Sequence, residues 1–220
     1  MLLDADGTLF DYDRAEAAAL AATWEELGLP REERLLPAYR EINHRLWRSY
    51  ERGEIEQAAI PGERFARLLT ALGHDADAGR ASSLYLRALA RQTHLLDGAL
   101  RVVSRLARRA ELALVTNGLA EVQRPRLAAS PLAPFFEVVV ISGEIGAGKP
   151  DPAFFDAAFR RMGDPPRRQT LIVGDSLTSD IEGGRRYGID TCWLNPRGAE
   201  GDGRPLTYEI RELAQLERLV

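Results

Sequence analysis

Several residue types that mark particular classes of protein are scarce in this chain of 220 residues. Its one cysteine, Cys192, excludes an intrachain disulfide and favours a reducing, cytoplasmic setting. No apolar run approaches the roughly 18 residues of a membrane-spanning helix, and the first residues lack the basic and apolar pattern of a signal peptide. The net charge of −4 argues against general binding to nucleic acid, which needs a basic face. We therefore expect a cytoplasmic protein that binds neither a nucleic-acid polymer nor a membrane.

Histidine is also scarce. The three histidines, His44, His74 and His94, lie far apart with no spacing typical of metal ligands, so we assign no metal to them. Because the chain is acidic overall, an anionic substrate must be attracted by local features such as a bound cation, a lysine or the N-termini of helices. The length suits one good core with a smaller appended domain, and a monomer is favoured.

The composition changes along the chain in a way that predicts two domains. Residues 14–95 show helical periodicity with no convincing strand, and turn signals such as Gly28-Leu29-Pro30 divide them into about four helices. After Gly98, short β-branched or apolar runs alternate with helical stretches, which is typical of a parallel sheet covered on both faces. The opening segment "MLLDAD" supplies one more strand. We expect an α/β core from residues 1–13 and 96–220, with the helical domain inserted after the first strand.

Polar motifs stand at the predicted carboxyl ends of the strands, where open parallel sheets bind their ligands. The four motifs are Asp4-Ala5-Asp6-Gly7-Thr8, Thr116-Asn117-Gly118, Lys149-Pro150, and Asp175-Ser176 followed by Asp180. Each motif alone is compatible with a turn, a loop or a helix cap. All four at one edge of one sheet favour a functional site.

The residue types of these motifs are consistent with one chemistry. Three carboxylates on neighbouring strand ends suit a hard cation such as Mg²⁺, which prefers oxygen ligands and also binds substrate phosphate. The cation would remove the repulsion between two aspartates that stand one residue apart. Lys149, the Thr116 hydroxyl and backbone N–H groups around Asn117 could then hold phosphate oxygens.

One further segment resembles the first part of a P-loop. Residues 143–149, "GEIGAGK", follow a predicted strand and have the glycine and lysine spacing of that loop. The next residue is Pro150, where a P-loop needs a serine or threonine hydroxyl for Mg²⁺. A P-loop kinase is therefore disfavoured.

In order and spacing, the four motifs resemble those of the haloacid dehalogenase superfamily, and the resemblance covers nearly the whole chain. The combination of D-x-D-G-T with G-D-x(4)-D is highly specific. It implies a Rossmann-like parallel sheet with helices on both faces and an inserted cap domain of the four-helix type. It also implies that Asp4 is a nucleophile that forms an aspartyl-phosphate. Asp6 would be the general acid for the leaving alcohol and then the base for the hydrolytic water.

The resemblance extends to the cofactor, Mg²⁺, and to the other motif residues. The implied metal ligands are Asp4, Asp6 through its backbone carbonyl, and Asp175. Thr116 and Lys149 would bind the phosphoryl oxygens, and Lys149 would also restrain Asp4. Asp180 would orient Lys149 or a metal-bound water from behind the direct ligands.

The first strand departs from the family pattern. Only Met1-Leu2-Leu3 precede Asp4, whereas family members usually carry several more apolar residues there. Either the strand is short or the start site is misassigned. Because this strand is central in the fold, a short version should lose ladder hydrogen bonds, so we expect lower stability with the chemistry intact.

Substrate choice is expected to depend on the helical insert, which stands where the family places a cap that closes over the site. The stretch "INHRLWRSYERGEI" is most similar to the pyrimidine 5′-nucleotidase branch of the family. Phe10 and Tyr12, just after the first motif, are placed to meet a base or a sugar. Trp47 is a further candidate, and its helical spacing fits the core of the insert equally well.

The favoured hypothesis is a Mg²⁺-dependent phosphomonoesterase for a small phosphorylated metabolite, first of all a pyrimidine nucleoside 5′-monophosphate. Alternatives within the family are a phosphatase for phosphoglycolate or a sugar phosphate, and a phosphomutase. Haloacid dehalogenases need no metal and usually lack the second aspartate, so Asp6 argues against them. A catalytically silent binding module on the same scaffold is the alternative from another class, and the intact nucleophile, acid and lysine positions count against it.

Overall fold

The computed structural model describes residues 1–219, and their contacts separate the chain into two compact units. The sheet unit comprises Met1–Tyr12 and the residues from Thr93 onward, and the helical unit comprises Asp13–Gln92. The helical unit is therefore inserted between the first strand and the rest of the sheet. Among the described residues, no helix has the length and apolarity needed to traverse a bilayer.

The described part of the sheet unit contains six parallel strands in the order β3-β2-β1-β4-β5-β6. Their bounds are β1 (Leu2–Leu3), β2 (Ala113–Thr116), β3 (Val138–Ile141), β4 (Leu171–Gly174), β5 (Asp190–Leu194) and β6 (Tyr208–Ile210). With helices on both faces, this sheet confirms the predicted α/β fold. Strand β6 was not predicted, because it has three residues and two of them are exposed, so no run of apolar residues marks it.

The α-helices of the described residues are divided between the two units. In the helical unit they are α1 (Tyr12–Glu26), α2 (Leu35–Glu51), α3 (Ile60–Leu72) and α4 (Ala78–Ala90). In the sheet unit they are α5 (Ala99–Leu106), α6 (Ala120–Ala128), α7 (Ser142–Ile145), α8 (Pro152–Arg161) and α9 (Glu182–Tyr187).

The two faces of the sheet carry separate apolar cores, because successive residues of a strand point to opposite sides. Leu3 and Val173 pack with helix α5 on one face. Leu2 and Ile172 pack with helix α8 on the other face. The two residues of β1 therefore belong to different cores, and each of them is fully buried.

Strand β1 is short, with only two residues. It pairs with β2 on one side and β4 on the other, so it is central in the sheet. The ladder continues past both ends of the strand: the Ala113 N–H donates to the Met1 carbonyl, and the Asp4 N–H donates to the Val173 carbonyl, each at 2.9 Å. Asp4 is thus anchored by its own backbone at the carboxyl edge of the sheet.

The helical unit has an aromatic core of its own. The rings of Tyr39 and Phe65 each lie 5.3 Å from the ring of Tyr85, measured between centroids. The buried guanidinium of Arg64 lies 4.8 Å from the centroid of the Tyr85 ring and donates to Asn43 Oδ1 at 2.9 Å. Aromatic faces and an amide oxygen stabilise this buried charge within the unit.

Replacing Leu3 by alanine should lower the free energy of unfolding by about 2–5 kcal/mol, because it removes a fully buried side chain from the central strand. Leu100→Ala is the control, since Leu100 in α5 is 40% exposed and its loss should change this free energy by less than about 0.5 kcal/mol. Urea denaturation followed by circular dichroism measures both values. Similar losses in the two variants would contradict the place of β1 in the core.

Candidate active site

The carboxyl ends of β1, β2 and β4 lie side by side, because these strands are neighbours in a parallel sheet. Asp4 directly follows β1, Thr116 ends β2 and Asp175 directly follows β4. Lys149 reaches the same edge from the segment between α7 and α8. The four motifs of the sequence therefore meet at one edge of the sheet.

Lys149 is the only lysine of the chain, and it is 1% exposed. Its Nζ donates to Asp4 Oδ1 at 2.6 Å, to Asp180 Oδ1 at 2.7 Å and to the Val115 carbonyl at 3.0 Å. These contacts use all three protons of the ammonium group. Lys149 therefore fixes the orientation of Asp4, and toward a phosphate it offers its positive charge more than a hydrogen bond.

The ionisable groups of the site shift one another's pKa values. Burial raises the pKa of Asp4 to about 7, although the charge of Lys149 offsets part of the effect. Burial alone would lower the pKa of Lys149, but the charges of Asp180 and Asp4 hold it above its usual value. Desolvation, and then the charges of Asp4 and Asp180, raises the pKa of Asp175 well above its usual range. Asp175 is exposed to solvent, and repulsion from the charges of Asp4 and Asp180 by itself raises its pKa in this direction.

The carboxylates of Asp4, Asp175 and Asp180 have oxygens within 4.8 Å of one another. Lys149 forms ion pairs with Asp4 and Asp180, which leaves the charge of Asp175 to be balanced by another cation. Hard oxygen donors, crowded negative charge and access from solvent at Asp175 fit a divalent cation such as Mg²⁺. The residues present are therefore suited to the predicted metal.

Two glycines allow the loops of this site to approach each other closely. Gly7 has a φ of +83°, and a Cβ at this position would lie 2.3 Å from Asp175 Oδ2. A Cβ at Gly174 would lie 2.1 Å from the carboxyl carbon of Asp180. Any other residue at these positions would displace an acidic side chain of the cluster, so glycine is required by space and, at Gly7, by backbone conformation.

Backbone and side-chain contacts hold the loop after β4. The Trp193 indole Nε1 donates to the backbone carbonyl of Asp175 at 2.9 Å. Asp180 lies in the π-helical turn Leu177–Ile181, and its Oδ2 accepts from the Ser176 N–H at 3.2 Å. Its Oδ1 accepts from Lys149 Nζ, so each carboxylate oxygen of Asp180 accepts a hydrogen bond. This fixed position suits a residue that orients the lysine.

The side chain of Asn117 pairs with the backbone of Lys149 in both directions. Its Nδ2 donates to the Lys149 carbonyl, and its Oδ1 accepts from the Lys149 N–H, each at 2.7 Å. This amide joins the end of β2 to the lysine segment. Because the Asn117 side chain is engaged in this way, the groups predicted to bind phosphate here are the nearby backbone N–H groups and Thr116. Thr116 is buried at the end of β2.

Asp6 makes its side-chain contacts away from the lysine. Its Oδ1 accepts from Arg126 Nη1 at 2.6 Å, and its Oδ2 accepts from Gln123 Nε2 at 2.5 Å. Both donors lie on helix α6, and the sequence interpretation did not include them. A signal was present: Gln123 and Arg126 are three residues apart, soon after Thr116-Asn117-Gly118, so they share one face of that helix.

The three predicted aromatic contacts have different surroundings. Phe10 is fully buried in a core of the sheet unit, with the Arg126 guanidinium 4.8 Å from its ring centroid. This burial argues against the predicted contact of the Phe10 ring with a substrate, because core side chains and the guanidinium cover the ring. Tyr12 is half-buried at the start of α1. Trp47, on α2 of the helical unit, is half-buried and packs edge-on against Tyr50 at 5.8 Å between centroids.

A parallel sheet with a lysine-bound acidic cluster at its strand ends is the arrangement expected of the resembled family. Residues 1–188 match the family model of the haloacid dehalogenase-like hydrolases. The chain belongs to this family of hydrolases, which confirms the resemblance.

Individual proteins are similar over nearly the full length. The chain is 36% identical to the pyrimidine 5′-nucleotidase PynA of Streptococcus pneumoniae, over 96% of this chain and 90% of PynA. It is 31% identical to the pyrimidine 5′-nucleotidase YjjG of Escherichia coli, over 100% of this chain and 96% of YjjG. Its structure is similar to that of the HAD-hydrolase YfnB of Bacillus subtilis bound to magnesium, with a TM-score of 0.93 and 37% identity. That match covers 99% of this chain and 96% of the YfnB chain.

Replacing Lys149 by methionine should lower the free energy of unfolding by about 3–5 kcal/mol at pH 8, because it leaves two buried carboxylates without their cation. The loss should be smaller at pH 5, since the pKa of Asp4 is raised to about 7 and its carboxyl is then protonated and uncharged. Urea denaturation at both pH values, without divalent cations, measures the effect.

The control for this experiment is Arg185→Met, which removes an exposed ion pair with Glu182. It should change the free energy of unfolding by less than about 1 kcal/mol at either pH. A loss in Lys149→Met that is the same at pH 5 and pH 8 would contradict the assigned charge balance.

Proposed function

We propose that this hydrolase is a Mg²⁺-dependent phosphomonoesterase that works through an aspartyl-phosphate on Asp4. The observation that carries the proposal is the buried contact of Lys149 Nζ with Asp4 Oδ1, 2.6 Å long, at a strand end crowded by further carboxylates. Cations around a carboxylate let it approach a phosphoryl group that is itself negative. An ion pair with only a structural role has no need of a third carboxylate open to solvent.

The first half-reaction transfers the phosphoryl group to the protein. A carboxylate oxygen of Asp4 attacks phosphorus, and the bond from phosphorus to the ester oxygen breaks as the new bond forms. Protonated Asp6 gives its proton to the departing oxygen, which leaves as an alcohol. Lys149 holds Asp4 Oδ1 and so directs the second oxygen of that carboxylate toward phosphorus.

The second half-reaction releases phosphate by hydrolysis. Asp6, now ionised, accepts a proton from a water molecule as that water attacks phosphorus. The bond between phosphorus and the Asp4 oxygen breaks, which restores the Asp4 carboxylate and the protonated Asp6. Each aspartate thus returns to its starting state after one turnover.

The residues that would hold Mg²⁺ are Asp4, Asp6 through its backbone carbonyl, and Asp175. When bound, the cation neutralises charge on the phosphoryl oxygens during the transfer. Asp180 keeps Lys149 in place beside Asp4, and both of its carboxylate oxygens are already engaged. The Thr116 hydroxyl and backbone N–H groups near Asn117 orient the remaining phosphoryl oxygens.

For the substrate we propose a pyrimidine nucleoside 5′-monophosphate. Two full-length relatives, PynA and YjjG, carry the name pyrimidine 5′-nucleotidase, which supports this choice. The phosphate contacts are common to all phosphomonoesters, so discrimination must come from contacts with the sugar and the base. Tyr12 and Trp47 are the aromatic side chains that we propose for the base.

We place the reaction in the cytoplasm and propose a monomer as the active form. The one cysteine, Cys192, is buried, and burial raises the pKa of its thiol to about 12. Such a thiol forms little thiolate, so it is unreactive and has no part in the proposed chemistry.

Asp4→Asn should abolish hydrolysis of 4-nitrophenyl phosphate, because an amide cannot attack phosphorus as a carboxylate does. The unchanged protein should lose its activity in excess chelator and regain it with added Mg²⁺. Release of 4-nitrophenol, followed by absorbance, measures both effects. Substantial activity of Asp4→Asn, or full activity in excess chelator, would exclude the proposed mechanism.

UMP and dTMP should be hydrolysed with higher kcat/KM than phosphoglycolate or hexose phosphates, since stacking of a base on an aromatic ring is worth roughly 1–3 kcal/mol. Trp47→Ala should lower kcat/KM for UMP by roughly tenfold or more and change that for 4-nitrophenyl phosphate less. The control on the same helix is Arg45→Ala, whose side chain is 72% exposed. A panel in which phosphoglycolate or a sugar phosphate is the better substrate would refute the nucleotidase assignment and leave the phosphatase in place.

A further inference from the structure

The Asp6 carboxylate is held on both of its oxygens by side chains of helix α6. Arg126 Nη1 donates to Oδ1 at 2.6 Å, and Gln123 Nε2 donates to Oδ2 at 2.5 Å. We propose that Gln123 and Arg126 are positioning residues that aim Asp6 at the ester oxygen of the substrate. This proposal rests on the proposed function, in which Asp6 moves the proton. We call the pair the Asp6 clamp.

The clamp is rigid because its residues are packed inside the sheet unit. Gln123 is 4% exposed and Arg126 is fully buried. The Arg126 guanidinium lies 4.8 Å from the ring centroid of Phe10, which is itself a core residue. The Gly7 N–H donates to the Phe10 carbonyl at 3.0 Å, which closes the loop between Asp6 and Phe10. Arg126 therefore contacts both ends of the loop that carries the acid.

A glycine in a different motif makes room for the clamp. A Cβ at Gly118 would lie 2.6 Å from both Cγ and Nε2 of Gln123. The φ of Gly118 is not positive, so its backbone conformation does not demand glycine. Glycine is required at this position because a larger residue would occupy the space of the Gln123 side chain. The glycine that ends Thr116-Asn117-Gly118 thus serves the hydrogen bond from Gln123 to Asp6.

The clamp acts on the direction of Asp6. A carboxylate can accept about four hydrogen bonds, so two N–H donors leave room for a contact on the substrate side. The Asp6 side chain is 24% exposed, so the clamp does not enclose it completely. A displacement of about 1 Å in such a group costs roughly 100-fold in rate. Neither clamp residue needs to touch the substrate to have this effect.

The test compares two substrates of similar shape that differ in their need for a proton. 4-Nitrophenyl phosphate has a good leaving group, and phenyl phosphate has a poorer one that depends more on the acid. The readout is the ratio of the two kcat/KM values, measured with Mg²⁺. This ratio does not depend on the fraction of active enzyme, so a variant that is only less stable leaves it unchanged.

Gln123→Leu should lower kcat/KM for phenyl phosphate by roughly 10- to 100-fold and that for 4-nitrophenyl phosphate less. Arg126→Met should shift the ratio in the same direction, and Arg126→Lys should restore part of it by keeping a charged donor. The matched control is Arg124→Gln on the same helix, because Arg124 pairs with Glu144 at 2.7 Å and not with Asp6. It should leave the ratio unchanged, and thermal unfolding shows whether each variant is folded.

Asp6→Asn separates failure of the clamp from failure of the proposed function. If Asp6→Asn shifts the ratio and Gln123→Leu lowers both substrates equally or not at all, the clamp is overturned and the phosphatase mechanism stands. If Asp6→Asn does not shift the ratio, Asp6 is not the acid, and the proposed role of the clamp is refuted as well. Should Arg126→Met fail to fold, Gln123→Leu decides the question alone.

Discussion

The ammonium group of Lys149 is the contact on which the site depends. It joins β1 through Asp4, β2 through the Val115 carbonyl and the turn after β4 through Asp180. Removing one partner of a buried ion pair is strongly destabilising, so the ammonium group stabilises the carboxylates packed around it. The chain uses arginine at every other basic position, since it has 29 lysines and arginines and Lys149 is the one lysine. A compact ammonium can donate to three acceptors around one point, whereas a planar guanidinium cannot.

Two aspartates that are one residue apart receive different environments from the same sheet edge. Asp4 is buried, and burial raises its pKa to about 7 while Lys149 holds one of its oxygens. Asp6 is partly exposed and takes its hydrogen bonds from α6, on the other side of the first loop. A nucleophile needs a fixed position next to positive charge, and a proton carrier needs access to the leaving group. The local packing supplies each residue with the surroundings that suit its proposed task.

The sheet, the helical insert and the meeting of the four motifs were predictable, because they follow from local patterns. Alternating apolar runs and helices indicate a parallel sheet, and motifs after its strands must meet at one edge. The Asp6 clamp was missed because more than a hundred residues separate Gln123 and Arg126 from Asp6 in the sequence. These side chains come into contact only in the folded protein. The burial of Phe10 was missed for a related reason: its nearness to Asp6 in sequence does not determine which way its ring turns. Strand β6 was too short and too exposed to leave a pattern.

The central position of the two-residue strand β1, whose partner strands both follow the helical unit in the chain, has a consequence for the order of folding. Leu2 pairs with Ala113 on one side and with Ile172 on the other, so β1 has no partner in the chain that follows it directly. During synthesis from the N-terminus, the helical unit emerges complete before either partner strand does. Contacts between such distant segments form slowly, because a long loop must close first. We therefore expect Asp4, which directly follows β1, to reach its place in the site only after β2 and β4 have formed.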